Sequence, residues 1–158
     1  MPDGDDARDA SVAPVGSADV EDVRAFLTAN DLTVAGLGTP GVRLWAVRDA
    51  SGSVVGTTGF ETSADGRHAL LRSVAVSPAL RGSGAGSRLA AVAMGQAASA
   101  GAARAWLFSR RSGPFWQGLG FDPADRDDLA TVLAGTTQVD LFRRTGQLAR
   151  EVAWSRPL

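Results

Sequence analysis

Apolar positions along this chain change period several times, and each change marks an element. Ser11 to Val15 suits a first strand. Ser17 then stands as an N-cap before Asp19, Glu21 and Asp22, acids that fit the positive start of a helix. Val20, Val23, Phe26 and Leu27 fall at i, i+3, i+6 and i+7, which predicts an amphipathic helix to about Asn30. Asp31 to Gly41 has little period and is rich in Gly and Thr, as in a loop or short helix over a binding site. Val42–Arg48, Val54–Thr62 and His68–Val76 read as strands, joined by turn residues at Asp49–Ser53 and Ser63–Arg67. Together they predict an antiparallel meander after one helix.

Pro78 ends that run, and a glycine loop leads into a helix from about Gly84 to Ala100. Its stripe is Leu89, Val92, Ala93, Gln96, Ala97 and Ala100, with Gly101 as the terminator. Ala103–Ser109 is the next strand, and a helical crossover before it predicts that it lies parallel to His68–Val76. Gly113 and Pro114 open a short helix ending near Gly118, and Phe121 starts the return. Asp125–Ala134 reads as a helix; Val139–Phe142 and Glu151–Trp154 read as final strands, of this sheet or of a dimer mate's. No internal repeat or linker interrupts residues 11–158, so one mixed α/β domain is expected. Residues 1–10, with Asp3, Asp5, Asp6 and Asp9 and no bulky apolar side chain, are expected to form a disordered acidic tail.

Composition narrows the function. A chain of 158 residues with 44% hydrophobic and 21% charged residues is ordinary for a soluble domain. No apolar run approaches the ~20 residues of a membrane span, and a formal charge of −1 does not suit a general nucleic-acid binder. The expectation is a cytoplasmic protein with neither a membrane nor a nucleic acid as partner. There is no Cys, Lys or Tyr, and His68 is the single histidine. Thiolate chemistry, Schiff-base lysine, a tyrosine acid and a multi-histidine metal site are therefore excluded. Carboxylates, hydroxyls, arginines and the backbone remain.

Arg81-Gly82-Ser83-Gly84-Ala85-Gly86 sits between a strand and a helix, where free backbone N–H groups favour an anion, phosphates above all. The P-loop is ruled out by the missing lysine. The dinucleotide fingerprint lacks its third glycine, because Ser87 stands there, and Gly101–Arg104 supply no acid for a ribose. A flexible loop before a helix is the plain alternative.

The surrounding order decides more. Val74-Ala75-Val76-Ser77-Pro78, followed by Arg81-x-x-Gly84-x-Gly86, resembles motif A of the GNAT superfamily of N-acetyltransferases. Phe115-Trp116-x-x-x-Gly120-Phe121 resembles that superfamily's Phe-Tyr-x-x-x-Gly-Phe motif. A narrower likeness is to the arsenic-resistance-associated N-acetyltransferases, carried by Gly59-Phe60-Glu61, Leu70 to Val76 and Asp125-Arg126-x-x-Leu129. Those in turn resemble the acetyltransferase domain of N-acetylglutamate synthases. The tail departs from them: a Cys-Pro pair common there is replaced by Phe142-Arg143-Arg144.

The resemblance implies a GNAT fold: a central mixed sheet of six to seven strands, about four flanking helices, and fourth and fifth strands that splay apart. It implies acetyl-CoA as co-substrate. Val74, Ala75 and Val76 would pair with the pantetheine arm, and Arg81, Gly82, Ser83, Gly84, Ala85, Gly86 and Ser87 would cradle the phosphates. A backbone N–H near Val76 would polarise the thioester carbonyl, and Trp116 would shape the slot. The acceptor would be a small amine, such as an amino acid or an amino-acid-like toxin, with detoxification or antibiotic resistance as the implied biology.

For the chemistry, Glu61 is the first choice of base or ammonium-holding group, against a plain solvated glutamate. Ser109 or water could assist the departing thiolate, since an indole at Trp116 cannot. Arg72 and Ser73 are assigned to the acceptor. A strictly alternating strand would put Arg72 on the face of Val74 and Val76, facing either a substrate anion or Glu61. Arg110 and Arg111 could reach the 3′-phosphate of CoA or stay solvated, and His68 is expected to be structural or exposed. The rivals are a non-catalytic acyl-CoA-binding or regulatory domain and a nucleotide-binding module.

Overall fold

The computed structural model describes residues 12–158; the expected acidic tail lies outside the described residues. Seven strands form one sheet in the order β1-β2-β3-β4-β5-β7-β6. They are β1 (Val12–Pro14), β2 (Arg43–Arg48), β3 (Val54–Thr62), β4 (His68–Val76), β5 (Arg104–Phe108), β6 (Asp122–Ala124) and β7 (Ala153–Pro157). Five α-helices accompany them: α1 (Val20–Ala29), α2 (Ala85–Ser99), α3 (Gly113–Gly118), α4 (Arg126–Val132) and α5 (Thr137–Thr145). The expected mixed sheet with splayed central strands is present, with one helix more than anticipated.

The meander β1 to β4 is antiparallel throughout, and β5 joins β4 in parallel after the α2 crossover. β7 inserts between β5 and β6, so the last strand completes this sheet rather than a second copy's. Alternation along the strands sends Phe60, Ala69, Leu71, Ala105 and Leu107 to one face, where Ala90, Ala93, Ala97 and Trp116 of α2 and α3 cover them. The small side chains of α2 let that helix lie close to the sheet. Leu70 and Trp106 face the other side, against Leu129, Leu133 and Val139, while Val23 and Leu27 of α1 cover Leu44 and Ala46.

Two local expectations are corrected. Ser17 does not cap α1: Asp19 precedes Val20, and its carboxylate reaches back to accept from the Gly16 N–H at 2.8 Å, which leaves Ser17–Asp19 as a short 3-10 turn. Val139–Phe142 is not a strand but part of α5. Thr136 caps that helix by accepting from Val139 N–H at 3.3 Å, and Gly146 ends it at φ 76. Val139 and Phe142 are one helical turn apart on its buried side. Among the described residues no helix is long and apolar enough to cross a membrane.

Candidate functional site

The central strands part in mid-sheet. β4 pairs with β5 only at His68↔Arg104, Ala69↔Ala105 and Leu70↔Trp106. Beyond that point Leu107 and Phe108 stay with β7, opposite Trp154 and Ala153, while β4 stays with β3. Ser77 N–H donates to Val55 O at 2.8 Å, which fixes the phase of the β3–β4 ladder. Alternation then turns the N–H and C=O of Val76 and Val74 away from β3, into the gap that β5 has left. These are backbone groups without a strand partner on that side.

A bulge shapes the same segment. Thr57 opposes Ala75 but Gly59 opposes Arg72, so Ser73 and Val74 together face Thr58. Ser73 holds φ 59, a left-handed conformation costly for a side-chain-bearing residue. Thr57 Oγ1 donates to the Ser73 carbonyl at 2.6 Å, and Arg72 Nε donates to Ser73 Oγ at 3.2 Å, pinning it. The bulge overturns the strict alternation expected for β4. Val74 packs with Leu71 in the core below α2, while Arg72 turns to the opposite face, toward α5.

The glycine loop stands at the end of β4. Gly82 and Gly84 hold φ 81 and 84, and Gly84 leads into α2 with no side chain capping the helix start. Arg88 N–H closes onto Gly84 O at 3.1 Å, and Ala85 N–H lies 3.4 Å from Ser83 Oγ. Gly86 and Ser87 lie in the first turn, whose N–H groups have no intrahelical carbonyl to meet. A Cβ on Gly86 would come within 3.6 Å of the Phe115 ring, so α3 flanks this loop closely. Open left-handed glycines, free amides and an aromatic wall fit a diphosphate-bearing ligand.

On the other face Glu61 and Arg72 form a closed buried cluster. The Arg72 side chain is 0% exposed, with Nη1 3.0 Å from Glu61 Oε2. The same guanidinium donates to Ala35 O at 2.7 Å, Thr137 Oγ1 at 3.2 Å and Thr33 O at 3.4 Å. Burial pulls the Arg72 pKa below its ordinary value, and the adjacent Glu61 carboxylate opposes that pull. Glu61 Oε1 accepts from Thr137 N–H at 2.7 Å and Thr137 Oγ1 at 2.9 Å; Oε2 also accepts from Gln138 N–H at 3.3 Å. All four acceptor positions of the carboxylate are occupied. Of the two partners considered for Arg72, the structure shows Glu61. The cluster ties β3 and β4 to the 31–41 loop and to the start of α5, where a Cβ on Gly36 would collide with Thr137.

The remaining residues disperse. Ser109 Oγ accepts from Ser112 N–H at 3.1 Å just ahead of α3, which leaves its own hydroxyl hydrogen free. Trp116 is 7% exposed, edge-on to Phe115 at 4.9 Å and to Phe121 at 5.3 Å, a core position. Arg110 pairs with Glu151 at 3.4 Å, and the exposed Arg81 follows the Pro78–Leu80 turn. His68 Nδ1 accepts from Trp106 Nε1 at 3.0 Å, a structural role. Sequence reasoning placed Phe115 in a motif without assigning it a role, and missed Thr57, Thr137 and Gln138. Only Thr136 and Gly146, as a cap and stop around Val139 and Phe142, could have signalled that α5 was a helix at all. An open groove of about 770 Å³ lies along α2 on the side of β1 and β2, lined by Val12, Trp45, Val47, Arg88, Leu89 and Val92, and it reaches Ser83 and Ala85 of the glycine loop. It does not include the β4–β5 gap.

Residues 11–121 match the family described as Acetyltransferase (GNAT) family. The chain belongs to that family. Among solved structures this GNAT chain is similar to the N-acetylglutamate synthase of Neisseria gonorrhoeae complexed with coenzyme A and N-acetyl-glutamate. The TM-score is 0.72 at 21% identity, over 93% of this chain and 35% of that one, so the chain spans about a third of the synthase's length. It is also similar to a GNAT acetyltransferase of Staphylococcus aureus (TM-score 0.69, 13% identity, 94% of this chain and 99% of that one). A Mycobacterium tuberculosis protein in complex with CoA gives a TM-score of 0.71 at 17% identity, over 93% and 98% of the two chains. These likenesses establish the shared fold. The curated proteins searched contain no match in sequence.

Proposed function

We propose that the chain is an acetyl-CoA-dependent N-acetyltransferase acting on the amine of a small molecule, with an amino acid or amino-acid-like compound as acceptor. One observation carries the reading: the Val74 and Val76 backbone groups face a gap between β4 and β5 that ends at the glycine loop. That arrangement offers an extended amide-bearing arm a strand partner, and offers its diphosphate the loop of Arg81 to Ser87. The family membership supports acetyl-CoA as the ligand with those features. The synthase crystallised with coenzyme A and N-acetyl-glutamate, and the motif likeness to arsenic-resistance-associated acetyltransferases, support an amino-acid-like acceptor.

When bound, acetyl-CoA supplies an electrophilic thioester carbonyl. The acceptor ammonium first loses a proton to water; its nitrogen then forms a bond to that carbon, the carbon–sulfur bond breaks, and the proton lost by the attacking nitrogen ends, through solvent, on the coenzyme A thiolate. The chain's part is orientation, which contributes several kcal/mol in well-placed bimolecular reactions. A gap-facing N–H of Val74 or Val76 polarises the carbonyl oxygen. Ser109, at the end of β5, keeps a hydroxyl hydrogen that can meet the departing sulfur. Glu61 we assign to positioning rather than to proton transfer. It would have to surrender Arg72 or the α5 amides to act as a base, and that would leave a guanidinium buried without a counter-charge. Arg72 and Ser73 then serve the acceptor site by fixing the bulge and the 31–41 loop. Trp116 braces Phe115 from the core.

The test is to incubate the protein with acetyl-CoA and each proteinogenic L-amino acid, following free thiol and the mass of the amine. The reading expects thiol release that depends on the amine and an acceptor heavier by one acetyl group. Tight CoA binding with no amine-dependent release would instead favour a non-catalytic acyl-CoA-binding domain. Protection by ATP or NAD rather than CoA would favour a nucleotide-binding module.

A further inference from the structure

The start of α5 carries one polar side chain that the fold does not use. Gln138 is 8% exposed, and its Oε1 is buried with no hydrogen-bond partner. Its neighbours at the helix start are all committed. Thr137 N–H and Gln138 N–H go to Glu61, and Val139 N–H goes to Thr136 Oγ1. No anion site is left at this helix end, and the amide of Gln138 is the residual polar group. Leaving a buried carbonyl oxygen unpaired is costly, and such exceptions in native folds call for a ligand or another explanation.

Its position indicates the ligand. The Gln138 N–H is 3.3 Å from the Glu61 carboxylate that holds Arg72, so its backbone lies beside the β4 bulge. One turn on, Phe142 packs against Phe108 at 5.3 Å between ring centres, at the end of β5 beyond its last pair with β4. Gln138 and Phe142 share the buried side of α5, and helical side chains lean toward the N-terminus. Gln138 thereby lies between the β4 bulge and the end of β5, the two borders of the β4–β5 gap, on the face opposite α2 and the glycine loop.

We propose that Gln138 is an acceptor-binding residue, whose carboxamide oxygen takes a hydrogen bond from an N–H of the amine to be acetylated. The assignment rests on the N-acetyltransferase reading above. An unpaired carbonyl oxygen selects a donor, and a small amine arriving from the α5 face brings one. A neutral carboxamide suits this task better than a carboxylate would. It aligns the nitrogen while stabilising the ammonium form less than a carboxylate would, and that form must lose a proton before its lone pair can attack. With the Glu61 oxygens occupied, no other buried side chain of the α5 start offers a free acceptor; Asp140, in the same turn, is exposed and pairs with Arg144.

The experiment compares wild type with Gln138→Met and Gln138→Leu, near in volume but without the amide. For any amino acid that the wild type acetylates, amine kcat/KM is expected to fall about tenfold or more, the loss typical of one hydrogen bond to a charged or reacting group. The KM for acetyl-CoA is expected to stay within about twofold, and the thermal midpoint to hold or rise, since an unpaired buried group has been removed. That split separates a binding role from a structural one, which would lower the midpoint. Unchanged amine kcat/KM in both variants, or a fall that merely follows a lower midpoint, overturns the assignment and leaves the function reading intact. A wild type that binds CoA yet acetylates none of the amino acids overturns both.

Discussion

At the scale of single residues, the Glu61–Arg72 pair shows why a glutamate next to a gap need not be a base. Its four acceptor positions are filled by Arg72, Thr137 and Gln138, and its partner guanidinium is fully enclosed. Glu61→Gln would place an amide NH₂ among donors and strip the counter-charge from a buried arginine, a change that costs about 3–5 kcal/mol. The expected result is a thermal midpoint lower by roughly 10 °C together with a loss of activity. A variant as stable as wild type but inactive would instead restore Glu61 as a proton acceptor. The sequence makes Glu61 visible as a buried candidate because an apolar run precedes it. It does not show the partners, because Thr137 and Ala35 are far away along the chain and only the fold brings them in. Ser73 is likewise hidden: nothing in Leu71-Arg72-Ser73-Val74 announces a left-handed residue, and with it the side on which Arg72 emerges.

At the scale of elements, β3 at Val54–Thr62 and β4 at His68–Val76 are legible as strand-like runs bounded by turn residues, although both are buried on both faces over most of their length. α5 is not, since a nine-residue helix whose buried side is only Gln138, Val139 and Phe142 looks like a short apolar strand in sequence. The turns carry their own pH dependence. Asp49 is held below the ordinary carboxylate range first by the Ser51 hydroxyl and then by Ser53 N–H; Asp65 is held down by the Ser63 hydroxyl and then by Arg67 N–H. A lowered folded-state pKa gives stability that is present above the unfolded value of about 4 and is lost as pH falls through the folded values. Urea unfolding across that acid range is expected to show declining stability, with a shallower decline in an Asp49→Asn, Asp65→Asn double variant. For the glycine loop, Gly84→Ala forces a side chain onto φ 84, a strain of about 1–2 kcal/mol. Calorimetric titration is expected to give CoA binding weakened about tenfold, with the amine KM little changed.

At the scale of the whole molecule, the sheet separates two approaches to one gap. α2, α3 and the glycine loop border it on one face; α5, the 31–41 loop and the Glu61–Arg72 cluster border it on the other. Two substrates can then meet at β4 without competing for the same surface, which suits direct transfer. The glycine loop and the Phe-Trp motif make the first face legible in the sequence, because local backbone requirements leave local signatures. The second face is assembled from segments spread over a hundred residues, so the sequence shows Glu61 and Arg72 singly but not the Thr137 and Gln138 that close around them. The 770 Å³ groove beside Trp45 and Leu89 is a competing cavity. A crystal structure of the protein with CoA decides between them. The pantetheine arm is expected in the β4–β5 gap, hydrogen-bonded to the backbone of Val74 and Val76, with the diphosphate on Gly82 to Ser87. Density for CoA in the groove along Val12, Trp45 and Leu89, with the gap left to water, would contradict that placement.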